Sequence, residues 1–196
     1  MHDVGDALVR GGLAEPVTEA PDLTVKEAME VQRRFLQRIR EGEHVVGYKA
    51  GLTSEAVQER FGTEEPIRGT LLPHMLIRSG DTLEATFGAR PRAEGDLMVR
   101  VGSEAINEAE SDSALLAGLD AVVPFFELPD LMYAEEVSIG GAALAAVNVG
   151  ARRGVVGPAT PLPPGQAGYE LLGRIRVEIL DRSGTVLSRG RSSQLL

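Results

Sequence analysis

The sequence predicts an α+β fold built on a mixed or mostly antiparallel β-sheet. Predicted strands outnumber predicted helices along the 196 residues, and their spacing is irregular. The C-terminal part is typical of a β-hairpin, in which 174–180 and 185–189 flank a turn that contains Gly184. Hydrophobic residues make up 43% of the chain, enough to bury a core. We therefore expect a single domain, 1–196, whose Gly-, Pro- and acid-containing segment 1–21 is a loosely held N-terminal arm.

The first helix is predicted directly after this arm. Thr24 and Glu27 have capping-box spacing, and an apolar stripe recurs at helical period as far as Ile39. Gly42 predicts the end of the helix. In order, we then predict a short strand or turn over 45–52, a helix over 54–61 ended by Gly62, a strand over 70–77 interrupted at Pro73, a strand over 93–101, a helix over 111–119, a buried strand over 121–128, a small helix over 138–147, a strand over 151–156 and a loop over 158–168.

Charge and cysteine content exclude several classes of function. The formal net charge of −9 argues against nucleic acid and against an anionic membrane surface as partners. The chain has no cysteine, which removes disulfides, thiolate nucleophiles and zinc–thiolate sites. Residues 1–15 show no signal-peptide pattern, and the longest apolar run, 139–149, is far shorter than the roughly 20 residues of a membrane span. We expect a soluble, cytoplasmic protein.

Three carboxylates stand on or beside predicted strands. Glu94 and Asp96 are two residues apart on one strand, so they share a face, and Glu127 ends a separate apolar strand. Three carboxylates that converge on one point need a cation between them, and hard oxygen ligands suit Mg²⁺ or Mn²⁺. The alternative is an ordinary acidic pair on an exposed strand face.

A lysine lies in the glycine-rich segment Gly-Tyr-Lys-Ala-Gly-Leu-Thr. Lys49 is placed between Gly47 and Gly51, where a ligand could approach the backbone closely and the amine could bind an anion or move a proton. The alternative is a solvated lysine in a turn. The spacing matches neither a Walker loop nor a dinucleotide fingerprint.

The remaining polar candidates are weaker. The histidines lack metal-ligand spacing, and the serines lie in no nucleophile-elbow context. An adjacent arginine pair could clamp a carboxylate, although two surface arginines would be ordinary. These residues are His2, His44 and His74, then Ser54, Ser192 and Ser193, and the pair Arg152 and Arg153.

Three blocks, 47–54, 92–96 and 123–130, resemble the 2-oxopent-4-enoate hydratase and 4-oxalocrotonate decarboxylase family of the fumarylacetoacetate hydrolase-like superfamily. They read Gly-Tyr-Lys-Ala-Gly-Leu-Thr-Ser, Arg-Ala-Glu-Gly-Asp and Val-Pro-Phe-Phe-Glu-Leu-Pro-Asp. The resemblance implies a mixed β roll with flanking helices, like the C-terminal domain of fumarylacetoacetate hydrolases. It also implies 2-oxo or 2-hydroxydienoic acid substrates from aromatic-ring cleavage.

The same resemblance implies site residues. It places the Mg²⁺ or Mn²⁺ ligands at Glu94, Asp96 and Glu127, and the site lysine at Lys49. Asp96 stands where the family usually has Glu. Apart from what the resemblance implies, we expect three residues to bind substrate: Leu52, Arg68 and Arg152.

Two departures from the family pattern affect the expected reaction. Where the family has an acidic residue in a Pro-Asp-aromatic-Gly stretch, this chain has Pro66-Ile67-Arg68-Gly69. The lost carboxylate weakens the hydratase assignment, and Arg68 could pair with the second carboxylate of a dioate. The chain also stops at Leu196, soon after the hairpin, as a shortened member or a fragment would.

We expect a metal-dependent hydratase of 2-hydroxypenta-2,4-dienoate type. The alternatives are a 4-oxalocrotonate-type decarboxylase and a catalytically weak structural partner of such an enzyme. A homo-oligomer is expected from the resemblance, with a small-molecule 2-oxo acid as substrate.

Overall fold

The computed structural model describes residues 16–20 and 22–192, and the chain divides into two compact units. Unit 1 comprises Met1–Ala93 and Leu128–Gly154, and unit 2 comprises Glu94–Glu127 and Val155–Leu196. Each unit is therefore assembled from two separate stretches of chain, and the single domain over 1–196 stays a prediction. No helix in the described part of the chain is long and apolar enough to cross a membrane.

Helices and strands alternate irregularly, and all strand pairs described below are antiparallel, which confirms the predicted α+β class. The α-helices are α1 (Val25–Ile39), α2 (Glu55–Phe61), α3 (Asp112–Ala117), α4 (Gly141–Ala146) and α5 (Gln166–Arg174). The strands are β1 (Gly47–Gly51), β2 (Ile67–Leu71), β3 (Leu76–Arg78), β4 (Glu94–Val101), β5 (Leu119–Leu128), β6 (Arg153–Val156), β7 (Thr160–Pro161), β8 (Arg176–Leu180) and β9 (Val186–Arg191). Short 3₁₀ segments occur at Pro73–Met75, Glu104–Glu108 and Asn148–Gly150.

Unit 1 is built around α1 and α4. The predicted capping box is present, since the Thr24 hydroxyl accepts from the Glu27 amide and the Glu27 carboxylate accepts from the Thr24 amide. The buried face of α1 includes Gln32, whose side-chain amide donates to the carbonyls of Arg68 (2.9 Å) and Ala145 (2.8 Å). This buried amide ties the helix to β2 and to α4. The surrounding apolar core comprises Ala28, Phe35, Leu52, Ile67, Met132, Tyr133, Ala143, Leu144, Ala145, Ala146, Val147 and Val149.

Unit 2 is built on the antiparallel pair β4–β5 and the hairpin β8–β9. The hairpin turn follows the prediction: the Asp181 carboxylate accepts from the amides of Ser183 (2.8 Å) and Thr185 (2.9 Å), and Gly184 has φ +86°. A small apolar cluster of Val122, Leu162 and Leu172 joins β5 to α5.

The structure corrects two predicted segments. The strand expected over 70–77 is instead β2, a 3₁₀ turn and β3, because the fixed backbone angle at Pro73 starts the turn. The loop expected over 158–168 is wrong in part, since β7 pairs with β5 and α5 begins at Gln166. The prediction missed α5 altogether, because the Pro- and Gly-rich segment that precedes this helix is typical of a loop.

Other boundaries shift by a few residues. The first helix ends at Ile39, before Gly42, which lies beyond the cap with φ +86°. The small helices over 111–119 and 138–147 are shorter than predicted. Most of the predicted arm 1–21 lies outside the described residues, but Val17 exchanges backbone hydrogen bonds with Met132 (2.8 Å) and Ala134 (2.9 Å) and so is held in place.

Candidate functional site

The register of β4 and β5 places the three predicted carboxylates on one face of this strand pair in unit 2. Glu94 lies directly opposite Glu127, and Asp96 lies opposite Phe125. Directly opposed residues share a face, as do residues two apart on a strand. Glu127 is 2% exposed, whereas Asp96 is half-buried and Glu94 is exposed.

On the opposite face of β4, Gly95 packs against the hairpin. A Cβ atom at Gly95 would lie 2.7 Å from Val177 Cγ1 and 3.2 Å from Ile179 Cγ1. Residue 95 therefore faces β8, and strand alternation assigns Glu94 and Asp96 to the other face of β4. Asp96 also borders a cavity of about 160 Å³ between β4 and the hairpin.

The donor type fits a hard divalent cation, because all three side chains offer carboxylate oxygens. In the structure, Asp96 Oδ1 accepts a hydrogen bond from the Leu97 amide at 2.7 Å. Across 16–20 and 22–192, no group of three or more acidic or histidine side chains is arranged to hold a metal ion. The strand register brings the residues to one face, and the ligand set itself stays a prediction.

Lys49 belongs to the β1–β2 ladder of unit 1, directly opposite Gly69. Its Nζ donates to the carbonyl of Val149 at 2.9 Å, and the side chain is half-buried. The alternative of a solvated lysine in a turn is therefore wrong. The chain contains only two lysines, Lys26 and Lys49, among its 20 basic residues.

Arg68 and Lys49 lie on opposite faces of this ladder. Arg68 is opposite Ala50, one residue out of phase with Lys49, and its guanidinium lies 4.9 Å from the centre of the exposed Tyr48 ring. Ile67 is opposite Gly51, shares the face of Lys49 and is buried at 3% exposure. The structure thus does not bring Arg68 to the lysine, and it places a buried apolar side chain at the position where the family resemblance implies an acid.

The other predicted substrate-binding residues also lie in unit 1. Leu52 follows β1 with φ +56°, is buried, and accepts a hydrogen bond at its carbonyl from Gln58 Nε2 (2.8 Å). Arg152 Nε donates to the Phe87 carbonyl at 3.1 Å. Burial, together with the neighbouring charge of Arg152, lowers the pKa of Arg153.

The weaker candidates have ordinary structural roles. Ser192 is buried and its hydroxyl donates to the carbonyls of Leu172 and Ile175, while His74 Nδ1 lies 2.5 Å from Glu43 Oε2. His44 is exposed, and Ser54 precedes α2 without a side-chain capping bond. His2 and Ser193 lie outside the described residues.

Two buried polar side chains were missed by sequence reasoning. Asp130 accepts from the backbone amides of Ala89 (3.1 Å), Arg90 (2.7 Å) and Met132 (3.1 Å), which fixes a loop of unit 1. The Asn148 side chain hydrogen-bonds to the backbone of Thr70 in β2. Asn148 also begins the turn whose next carbonyl, that of Val149, accepts the hydrogen bond from Lys49 Nζ. Its signal in the sequence is the Asn-Val-Gly triplet between a helix and a strand, since Asn and Gly both favour left-handed turns.

No protein-family model matches the chain. A 2-hydroxypent-2,4-dienoate hydratase of Pseudomonas putida is 31% identical over 137 residues, 66% of this chain and 62% of the relative. A 2-keto-4-pentenoate hydratase of Paraburkholderia xenovorans is 30% identical over 177 residues, 90% of this chain and 64% of the relative. A 4-oxalocrotonate decarboxylase of a Pseudomonas species is 31% identical over 129 residues, 65% of this chain and 50% of the relative. The chain thus spans between half and two thirds of the length of these curated relatives.

Solved structures show the same fold. The 4-oxalocrotonate decarboxylase of Pseudomonas putida G7, complexed with magnesium and adipate, has a TM-score of 0.73 at 22% identity, covering 98% of this chain and 72% of that one. Its complex with calcium and acetate has a TM-score of 0.76 at 22% identity, covering 98% of this chain and 73% of that one. The resemblance inferred from three sequence blocks is confirmed: the chain is similar to 2-keto-4-pentenoate hydratases and 4-oxalocrotonate decarboxylases and shares the fold of the latter.

Proposed function

We propose that the chain is a divalent-metal-dependent lyase, a hydratase of 2-oxo or 2-hydroxydienoic acids of the 2-hydroxypenta-2,4-dienoate type, in aromatic catabolism. The observation that carries the proposal is the β4–β5 register, which sets Glu94, Asp96 and Glu127 on one face. The names of the hydratase relatives support the reaction class. The related decarboxylase structures, which are complexed with magnesium or calcium, support the metal.

In this proposal Glu94, Asp96 and Glu127 would hold Mg²⁺ or Mn²⁺. A bound divalent cation would act as a Lewis acid that stabilises negative charge on a 2-oxo acid. Glu127 would be the buried ligand, with its position on β5 fixed by the strand, and the more exposed Glu94 and Asp96 would change rotamer on binding. Asp96 would also exchange its hydrogen bond with the Leu97 amide for the metal.

The residues of unit 1 would bind substrate and move a proton. Lys49 Nζ would pair with a substrate carboxylate or transfer a proton during ketonisation. Leu52 would shape the substrate site next to the lysine's strand. The outer nitrogens of Arg152 would bind a carboxylate, since its Nε is committed to Phe87.

A second candidate reaction, decarboxylation of a 4-oxalocrotonate-type 2-oxo acid, is favoured by Ile67. A hydratase must activate water, and a buried isoleucine on the face of Lys49 supplies no base there. Loss of CO₂ from a dioate needs no such base. Arg68, on the face of the ladder opposite Lys49, would pair with the second carboxylate of the dioate.

The finer parts of the assignment are also proposals. The fold would be the mixed β roll of the fumarylacetoacetate hydrolase C-terminal domain, which the shared fold with the decarboxylase supports. We further propose a cytoplasmic homo-oligomer. The absence of cysteine fits a reducing compartment, and a sedimentation mass of one 20.9 kDa chain would contradict the oligomer.

The proposal is tested first by metal binding. Mn²⁺ is titrated calorimetrically into metal-stripped protein, with and without oxalate as a 2-oxo acid mimic. We expect saturable binding that oxalate tightens, and loss of that binding in Glu127→Gln. Glu104→Gln, an exposed acid in the same unit, is the matched control and should bind like the unaltered chain. Absence of binding in the unaltered chain would overturn the metal site.

Turnover then separates the reactions. Loss of the ultraviolet absorbance of 2-hydroxypenta-2,4-dienoate reports hydration, and release of CO₂ from 4-oxalocrotonate reports decarboxylation. Hydration in the unaltered chain that is lost in Lys49→Ala supports the primary assignment, and CO₂ release alone supports the second. Metal binding without either activity would favour the structural-partner alternative.

A further inference from the structure

The turn that accepts a hydrogen bond from Lys49 has left-handed backbone angles. Asn148, Val149 and Gly150 have consecutive φ values of +59°, +56° and +70°. Glycine adopts this left-handed region freely and asparagine tolerates it, but a β-branched residue rarely does. Contacts from outside the turn must therefore hold Val149 in this conformation.

The Asn148 side chain supplies such contacts. It is fully buried, and its Oδ1 accepts from the Thr70 amide at 2.7 Å while its Nδ2 donates to the Thr70 carbonyl at 2.9 Å. Both backbone groups of one β2 residue are thus bound by one side chain. Gly69 allows this approach, since a Cβ there would lie 2.7 Å from the Asn148 carbonyl oxygen.

The Asn148 side chain and Lys49 make their hydrogen bonds at the same turn. Lys49 is paired with Gly69 in the ladder, one residue before Thr70, and its Nζ donates to the carbonyl of Val149, one residue after Asn148. The direction of that carbonyl depends on the left-handed backbone. We propose that Asn148 is a positioning residue for Lys49, acting through the Val149 carbonyl. The use of Lys49 in catalysis rests on the proposed function, but the positioning itself does not.

Because the chain has only two lysines, the reactivity of Lys49 can be measured against that of the other. Trace acylation with N-hydroxysuccinimidyl acetate followed by mass spectrometry gives the reactivity of Lys49 relative to the exposed Lys26, an internal standard. Asn148→Gly keeps the left-handed preference but lacks the side-chain amide. In this variant we expect the Lys49 to Lys26 reactivity ratio to rise about fivefold, the factor expected when one hydrogen bond is lost. Asn148→Ala should raise it at least as much.

Thr70→Ala is the matched control, because Asn148 bonds only to the backbone of Thr70. Its ratio should equal that of the unaltered chain. A folded Asn148→Gly protein with an unchanged ratio, or a Thr70→Ala protein with an equal rise, would overturn the proposal. Circular dichroism establishes that each variant is folded.

If neither Asn148 variant folds, the unaltered chain still tests the hydrogen bond through which Asn148 would act on Lys49. With ¹⁵N-lysine and ¹³C-carbonyl valine, the Lys49 Nζ signal should show a coupling across the hydrogen bond to Val149, and its absence would overturn the proposal.

Kinetics add a further readout: Asn148→Gly should lower kcat while leaving the dissociation constant for Mn²⁺ unchanged. A raised acylation ratio in a protein with no turnover would contradict the proposed function and leave the positioning intact.

Discussion

Substitution of Gly69 by alanine tests whether the turn at 148–150 is rigid. The new Cβ would lie 2.7 Å from the Asn148 carbonyl oxygen and 3.4 Å from Val149 Cβ. The oxygen belongs to backbone that cannot retreat without breaking the two bonds from Asn148 to Thr70. Such overpacking costs about 1–3 kcal/mol. Alanine recovers about 0.5–1 kcal/mol of the entropic cost of a strand glycine, so the midpoints of the two ranges give a net loss of about 1 kcal/mol.

Gly47→Ala is the matched control on the same ladder and the same face. A Cβ at Gly47 would lie 3.6 Å from Leu71 Cδ1, an ordinary contact, so this variant should be neutral or slightly stabilised. Urea unfolding followed by circular dichroism compares the midpoints, and hydrogen exchange of the β2 amides localises the effect. Equal stability of the two variants would refute the reasoning, because the turn would then have yielded at no cost.

Two further outcomes follow from local contacts. Burial raises the pKa of Tyr133 to about 12, and its hydroxyl donates to the Ala143 carbonyl at 3.0 Å. Because the folded pKa lies above the unfolded value of about 10, this contribution to stability is complete below pH 10 and is lost between about pH 10 and 12. Absorbance at 295 nm should show one of the three tyrosines ionising late, and Tyr133→Phe should abolish that step; a late step that persists would contradict the assignment. Thr24→Ala removes half of the capping box and should cost about 1 kcal/mol in urea unfolding, whereas an unchanged midpoint would mean that the helix start is held by other contacts.

Features that depend on neighbours in sequence were predictable. The capping box of Thr24 and Glu27 and the turn at Asp181 are formed by residues two to four apart, so their residue types alone specify them. The turn at Asn148 was missed because its conformation depends on Thr70, 78 residues earlier. The same limit applies to Arg68, since only the pairing of β1 with β2 reveals that it lies on the face opposite Lys49.

The orientation of the carboxylates in unit 2 also depends on a distant segment. Alternation along β4 puts Glu94 and Asp96 on one face, but it does not decide which face that is. The decision comes from Gly95, which fits directly against Val177 and Ile179 of the C-terminal hairpin. A one-residue slip of β4 would press a carboxylate-bearing side chain against these apolar groups, which already lie 2.7 Å and 3.2 Å from the place of a Cβ at residue 95. Packing of the hairpin therefore selects the arrangement in which both acids face the side of Glu127, and the Glu-Gly-Asp triplet serves fold and proposed metal site together.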